Sequence, residues 1–118
     1  MTITVRFAEL RDRDRCEELL NLLVGNTAAS ENIFSGQVFE TIVAGRYGRV
    51  LLACEDELAL GMASISFNYA LRYDGRYAQL EELIVDPVAR GKNVGGLLVE
   101  EALKAVSYTH LRAHETQR

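Results

Sequence analysis

The chain opens on a two-residue alternation. Ile3, Val5 and Phe7 are apolar while Thr2, Thr4 and Arg6 are polar, which predicts a half-buried strand over residues 2–8. The period then changes to that of a helix. Cys16, Leu19, Leu20, Leu22 and Leu23 form its apolar face, Glu17 and Glu18 turn outward, and Asp12 or Asp14 stands where a cap belongs. Residues 25–32 are small and polar and read as a loop. Residues 34–44 carry Val38, Phe39, Ile42 and Val43 at helical spacing, a second helix closed by Gly45 and Gly48. Three strands follow: 49–54, apolar throughout; 59–69, interrupted by Gly61; and 77–85, stopped by Asp86-Pro87 because proline cannot extend a ladder. Turns at 55–57 and 72–75 join them, the second marked by Asp74-Gly75. A glycine-bearing loop then opens a helix over 94–105. Two successive hairpins among helices predict an α/β chain of the α+β type, with a mostly antiparallel mixed sheet flanked by helices.

Composition narrows the class. Of 118 residues, 48% are hydrophobic and 25% charged, enough apolar surface for one small core. A formal charge of −4 disfavours a nucleic-acid partner and suits a small, cationic one. Arg6, Glu9 and Arg11 break up any signal-like apolar run, and no stretch approaches the length of a membrane span. Cys16 and Cys54 lack metal-ligand or redox spacing and sit in apolar patterns, so the protein reads as reduced, cytoplasmic and without a metal.

The segment from Arg90 to Leu98 follows a strand and opens a helix. Gly91, Gly95 and Gly96 allow a tight turn and close approach of a ligand to the backbone. The first N–H groups of a helix have no partner within it, and with the helix dipole they form an anion site. Arg90 and Lys92 add positive charge beside Asn93 and Val94. Phosphate binding follows. A Walker loop is excluded because Leu97 stands where Lys is required after Gly96. The dinucleotide fingerprint is excluded by Asn93 and by the antiparallel surroundings.

The preceding strand holds a second anomaly. A central strand covered on both faces should be apolar, yet Glu81 and Glu82 stand side by side. Strict alternation sends Gln79, Glu81, Leu83 and Val85 to one face and Leu80, Glu82 and Ile84 to the other. One carboxylate can take a proton from an attacking amine, and a second can hold a cationic substrate. Alternatively both sit at a solvated strand entrance, paired to Arg72 or Arg76. Tyr69, Tyr73 and Tyr77 either line a substrate pocket or cover the hairpin. Phe34 and Phe39 either gate that pocket or pack.

The loop resembles the acetyl-CoA loop of the GNAT acetyltransferase superfamily: Arg or Gln, two residues, Gly, one residue, then Gly or Ala. Here these are Arg90, Asn93 and Gly95, with Asn93 replacing the usual Gly; Asn tolerates left-handed backbone better than most residues. Residues 79–87 are similar to the family's fourth strand, and the order of elements matches over residues 2–105. The resemblance implies a GNAT-like acyl-CoA N-acyltransferase fold, with acetyl-CoA as co-substrate and a small-molecule or peptide amine as acceptor. It implies Glu81 as base and Glu82 as a contact to substrate or its water. The cofactor would lie along Leu83, Ile84 and Val85 and on Arg90, Gly91, Lys92, Asn93, Val94, Gly95 and Gly96. The pattern is also similar to small-amine acetyltransferases of the diamine and aminoalkylphosphonate types. Transfer would be direct, because neither cysteine lies in the motif region. A non-catalytic acyl-CoA-binding or regulatory module is the alternative.

Residues 106–116, Val-Ser-Tyr-Thr-His-Leu-Arg-Ala-His-Glu-Thr, resemble a translated transposon-end sequencing adapter. Residues 106–118 therefore read as a non-native tail, and 1–105 as a partial GNAT domain lacking its C-terminal strands. The i, i+4 pair His110 and His114 is for that reason not taken as a zinc site. The family's next strand, helix and tyrosine acid would be absent. The 118-residue chain is expected to be a poor enzyme or none, with an open strand edge prone to association, homodimer included.

Overall fold

The computed structural model describes residues 2–24, 36–73, 75–108 and 112–114. Five strands form one sheet in sequence order: β1 (Ile3–Phe7), β2 (Gly48–Glu55), β3 (Leu58–Ala70), β4 (Gly75–Val85) and β5 (Arg112–His114). The first four are antiparallel neighbours, and β5 runs parallel to β4. Helices α1 (Arg13–Val24) and α2 (Gly36–Val43) cover one face, and α3 (Val94–Tyr108) covers the other.

The unbroken apolar run of β2 follows from this layering, since a strand covered on both sides has no polar face. Val50, Leu52 and Cys54 pack with Cys16, Leu19 and Phe39, while Leu51 and Ala53 pack with Val94, Leu98 and Ala102. The alternation of β1 is that of an edge strand half covered: Ile3 and Val5 lean on the α3 core, and Phe7 is largely exposed.

Asp12 does not cap α1 directly. It ends a short 3₁₀ turn, Leu10–Asp12, and its carboxylate accepts the Glu9 N–H at 2.7 Å and a two-point grip from Arg6 at 2.8 and 2.9 Å. Asp14 is exposed beside Arg13. The buried stripe of α1 is Cys16 and Leu19 with Leu20 partly covered; Leu22 and Leu23, expected on it, are exposed. Phe39 is 5% exposed and packs in the core, so it is not a gate. Phe34 and the 25–32 loop lie outside the described residues.

Two β-bulges reset the alternation of the long strands. In β3, Ala53 faces Gly61 and Cys54 faces Ala59, which leaves Leu60 as the extra residue. In β4, Ile65 faces Leu80 and Ser64 faces Glu82, which leaves Glu81 as the extra residue. Leu80 accordingly shares the α3 face with Val85, whereas Ile84 is buried on the α1/α2 face. The strict alternation expected for residues 79–85 is thus overturned at Glu81.

The last helix runs three residues past Ala105, with Val106 buried in the core, and β5 pairs Arg112–His114 with Tyr77–Gln79. The expected end of the helix at residue 105 is therefore extended. His110 lies outside the described residues. Among the described residues no helix is long and apolar enough to cross a membrane.

Candidate active site

The bulge brings both carboxylates to one side of the sheet. Ser64 and Ser66 are two residues apart on β3 and so share a face. The Ser66 hydroxyl donates to Glu81 Oε2 at 2.6 Å, and the Ser64 hydroxyl donates to Glu82 Oε1. A regular strand would have divided the pair between the two faces; the extra residue lets both turn toward the α1/α2 side. Asn68 extends the row, its Nδ2 donating to Ser66 Oγ at 2.8 Å. Ser66 has one proton and gives it to Glu81, so it receives the amide of Asn68 on its lone pairs.

Glu81 is exposed and Glu82 half-buried. Ser64, at 5% exposure, is the buried polar residue of the described core. The serines hold the carboxylates where Arg72 or Arg76 had been the expected alternative. Arg76 instead lies over the Phe67 ring at 5.6 Å, and Arg72 over the Tyr77 ring at 5.9 Å. Tyr69 is exposed at the hairpin tip, lining a shallow hollow of about 250 Å³ with Ala70, Leu71 and Gly75. The Tyr73 side chain lies outside the described residues. Ser64, Ser66 and Asn68 were missed from the sequence. Their signal was the polar–apolar alternation Ser-Ile-Ser-Phe-Asn within an otherwise apolar strand.

Four residues beyond Glu81, about 13 Å along an extended chain, β4 meets the loop. β5 pairs with Tyr77–Gln79, and among the described residues β4 from Glu81 to Val85 has β3 as its strand neighbour. Leu83 is exposed, Val85 half-buried and Ile84 buried. Alternate backbone groups of this stretch face away from β3. The start of α3 sits beside it: a Cβ on Gly95 would lie 3.7 Å from Val85 Cγ2.

Asp86 caps a 3₁₀ turn, Pro87–Ala89, by accepting the Val88 N–H at 3.0 Å. That bond, with the Arg15 guanidinium beside it at 2.9 Å, holds the Asp86 carboxyl below its ordinary range. Ala89 is buried, and Arg90 to Asn93 then swing out into solvent. Gly91 has φ 84° with nothing within 4 Å of where a Cβ would stand. Asn93 has φ 57°, the left-handed conformation its side chain tolerates. The Leu97 N–H donates to the Asn93 carbonyl at 3.1 Å, the first bond of α3, leaving the N–H groups before it directed at the loop. Lys92 leans on Glu55 at 3.4 Å, a long contact between partly exposed groups, and Arg90 is exposed. The glycine without a neighbour, the left-handed Asn93 and the unused helix donors fit a diphosphate. A groove of about 440 Å³ between β1 and the end of α3 contains none of the candidate residues.

Neither cysteine is placed for covalent chemistry. Both are buried and free; burial pushes Cys16 up to about 12, with the Asp12 charge adding, and burial likewise raises Cys54. A thiol nucleophile acts as its thiolate, which these surroundings oppose.

A glycine-bearing loop and a helix start thus stand at the end of a strand that carries two serine-held carboxylates. The chain belongs to the acetyltransferase (GNAT) family, whose model matches residues 10–114. Sequence comparison with curated proteins returns no significant match. Solved structures share the fold. An acetyltransferase from Agrobacterium tumefaciens str. C58 aligns over 98% of this chain and 81% of its own, with TM-score 0.80 and 19% identity. Glucosamine-6-phosphate N-acetyltransferase from Arabidopsis thaliana aligns over 100% and 84%, with TM-score 0.78 and 22% identity. An aminoglycoside acetyltransferase from an uncultured soil metagenomic sample, in complex with sisomicin, aligns over 98% and 78%, with TM-score 0.77 and 11% identity.

Proposed function

We propose that this chain binds acetyl-CoA and passes its acetyl group to the primary amine of a small molecule. The observation that carries the proposal is the β4 bulge, which places Glu81 and Glu82 on one face, each hydrogen-bonded to a serine, on the strand that leads to the phosphate loop. Acetyl-CoA supplies an activated thioester. The protein's own groups do the rest. The N–H groups of Gly91 and of the first turn of α3 receive the diphosphate, with Arg90 and Lys92 adding charge. The backbone of Leu83, Ile84 and Val85 receives the pantetheine arm. Glu81, fixed through Oε2 by Ser66, keeps Oε1 to accept a proton from the amine, directly or through water. Glu82 attracts the amine while it is cationic. The acceptor class is supported by the named structural neighbours, which include transferases of an amino sugar and of aminoglycosides.

A single-turnover assay tests it, with protein in excess over acetyl-CoA and a panel of amino sugars, diamines and aminoglycosides. The expected result is slow, amine-dependent release of CoA, reduced about 10²–10⁴-fold by Glu81→Gln with CoA binding retained. CoA binding unaffected by Glu81→Gln, with no turnover for any amine, would establish the non-catalytic binding module instead.

A further inference from the structure

Arg15 lies on α1, on the far side of the sheet from α3, yet its guanidinium joins three elements. Nε and Nη2 donate to the Ala59 carbonyl at 3.0 and 2.7 Å, Nη2 also meets Asp86 Oδ2 at 2.9 Å, and Nη1 meets Glu18 Oε1 at 3.0 Å. Ala59 precedes Leu60, the extra residue of the β3 bulge, where the ladder is interrupted and a carbonyl is left for another donor. Asp86 is tied down on every polar group. Its N–H donates to Leu60 O at 2.8 Å, Oδ1 accepts Val88 N–H at 3.0 Å and its carbonyl accepts Ala89 N–H at 2.8 Å. Ala89, 1% exposed, packs with Val94 and Leu98, and its carbonyl accepts the Lys92 N–H at 3.2 Å. Arg15 thus grips the point from which the exposed loop 90–93 springs.

We infer that Arg15 is a positioning residue for the phosphate loop: by clamping Asp86 to the β3 bulge, it sets where the loop amides stand and hence the affinity for the diphosphate of CoA. This rests on the phosphate-site reading above. Planar, multi-donor geometry is required, because one group must serve a carbonyl and a carboxylate at once, which an ammonium on a flexible stem does poorly. A loop displaced by an ångström keeps its charges and loses its hydrogen bonds.

The test compares wild type, Arg15→Met and Arg15→Lys in the full chain, titrated with CoA and with pantetheine, which lacks the phosphates. Amide NMR reports both binding and fold. The expected result is a dissociation constant for CoA raised about tenfold in Arg15→Met, an intermediate rise in Arg15→Lys, and unchanged binding of pantetheine. Where Arg15→Met does not fold, Asp86→Asn carries the test. It keeps an oxygen for the Val88 N–H, loses the ion pair, and is expected to weaken CoA in the same selective way. Equal CoA affinity in a folded variant overturns the inference, as does an equal loss of CoA and pantetheine. A wild-type chain that binds no CoA removes the phosphate site itself and the inference with it.

Discussion

At the residue scale the chemistry depends on side chains that hold other side chains. In the proposed reaction Glu81 would serve as a base only with its second oxygen held toward the acceptor, a constraint that Ser66, oriented in turn by Asn68, would supply. Ser66→Ala is therefore expected to lower the single-turnover rate about tenfold, the worth of one hydrogen bond to a charged group. Cofactor binding and melting temperature should change little, since Ser66 is only partly buried. Rates measured alongside calorimetric CoA binding check this. Arg6 and Asp12 form the corresponding structural pair. The Arg6 hydrogen bonds, then the Glu9 N–H, hold the Asp12 carboxyl below its ordinary value. A depressed carboxyl contributes stability above its unfolded value and loses it as pH falls through the folded one. Asp12→Asn should cost about 1 kcal/mol at neutral pH. The gap from wild type should close as pH drops below about 4, as urea unfolding across pH would show.

At the scale of elements, the site is positioned by departures from regularity. The bulge at Glu81 could not be read from the sequence, because nothing in Gln79 to Val85 marks an inserted residue; it comes from matching β4 to β3. Alternation read along one strand alone therefore sent the two glutamates to opposite faces. The loop was legible residue by residue, including the left-handed Asn93, because conformation there is dictated locally by Gly and Asn. The helices and hairpins were legible from their periods. Leu22 and Leu23 were not, since periodicity names an apolar face without saying how far along it the sheet extends. Gly61 was visible as an interruption, and the structure gives the reason. A Cβ there would stand 2.6 Å from Val94 Cγ1 and 3.0 Å from the Ile84 carbonyl. Gly61→Ala is expected to destabilise the fold by about 1–3 kcal/mol. It should also weaken CoA binding, because the side chain it displaces begins α3. Denaturant unfolding and a CoA titration on the same variant would measure both.

At the scale of the molecule, β5 pairs with β4 at Tyr77–Gln79, and α3 begins beside Val85. Among the described residues Glu81 to Val85 have β3 as their strand neighbour, and α3 brings its N-terminus to the same end. The fold is shared with structural neighbours at 11–22% identity and TM-scores near 0.8. Sequence reading reached this level through the order of elements and the loop pattern; the pairing of β5 with Tyr77–Gln79 joins residues far apart in the chain, which no local pattern encodes. The most direct measurement is an amide NMR titration of the 118-residue chain with CoA. Saturable shifts are expected, centred on Gly91, Asn93, Gly95 and Gly96 and continuing into Leu83 and Val85. No saturable shift, or shifts confined to the groove between Phe7 and Lys104, would contradict the proposed site.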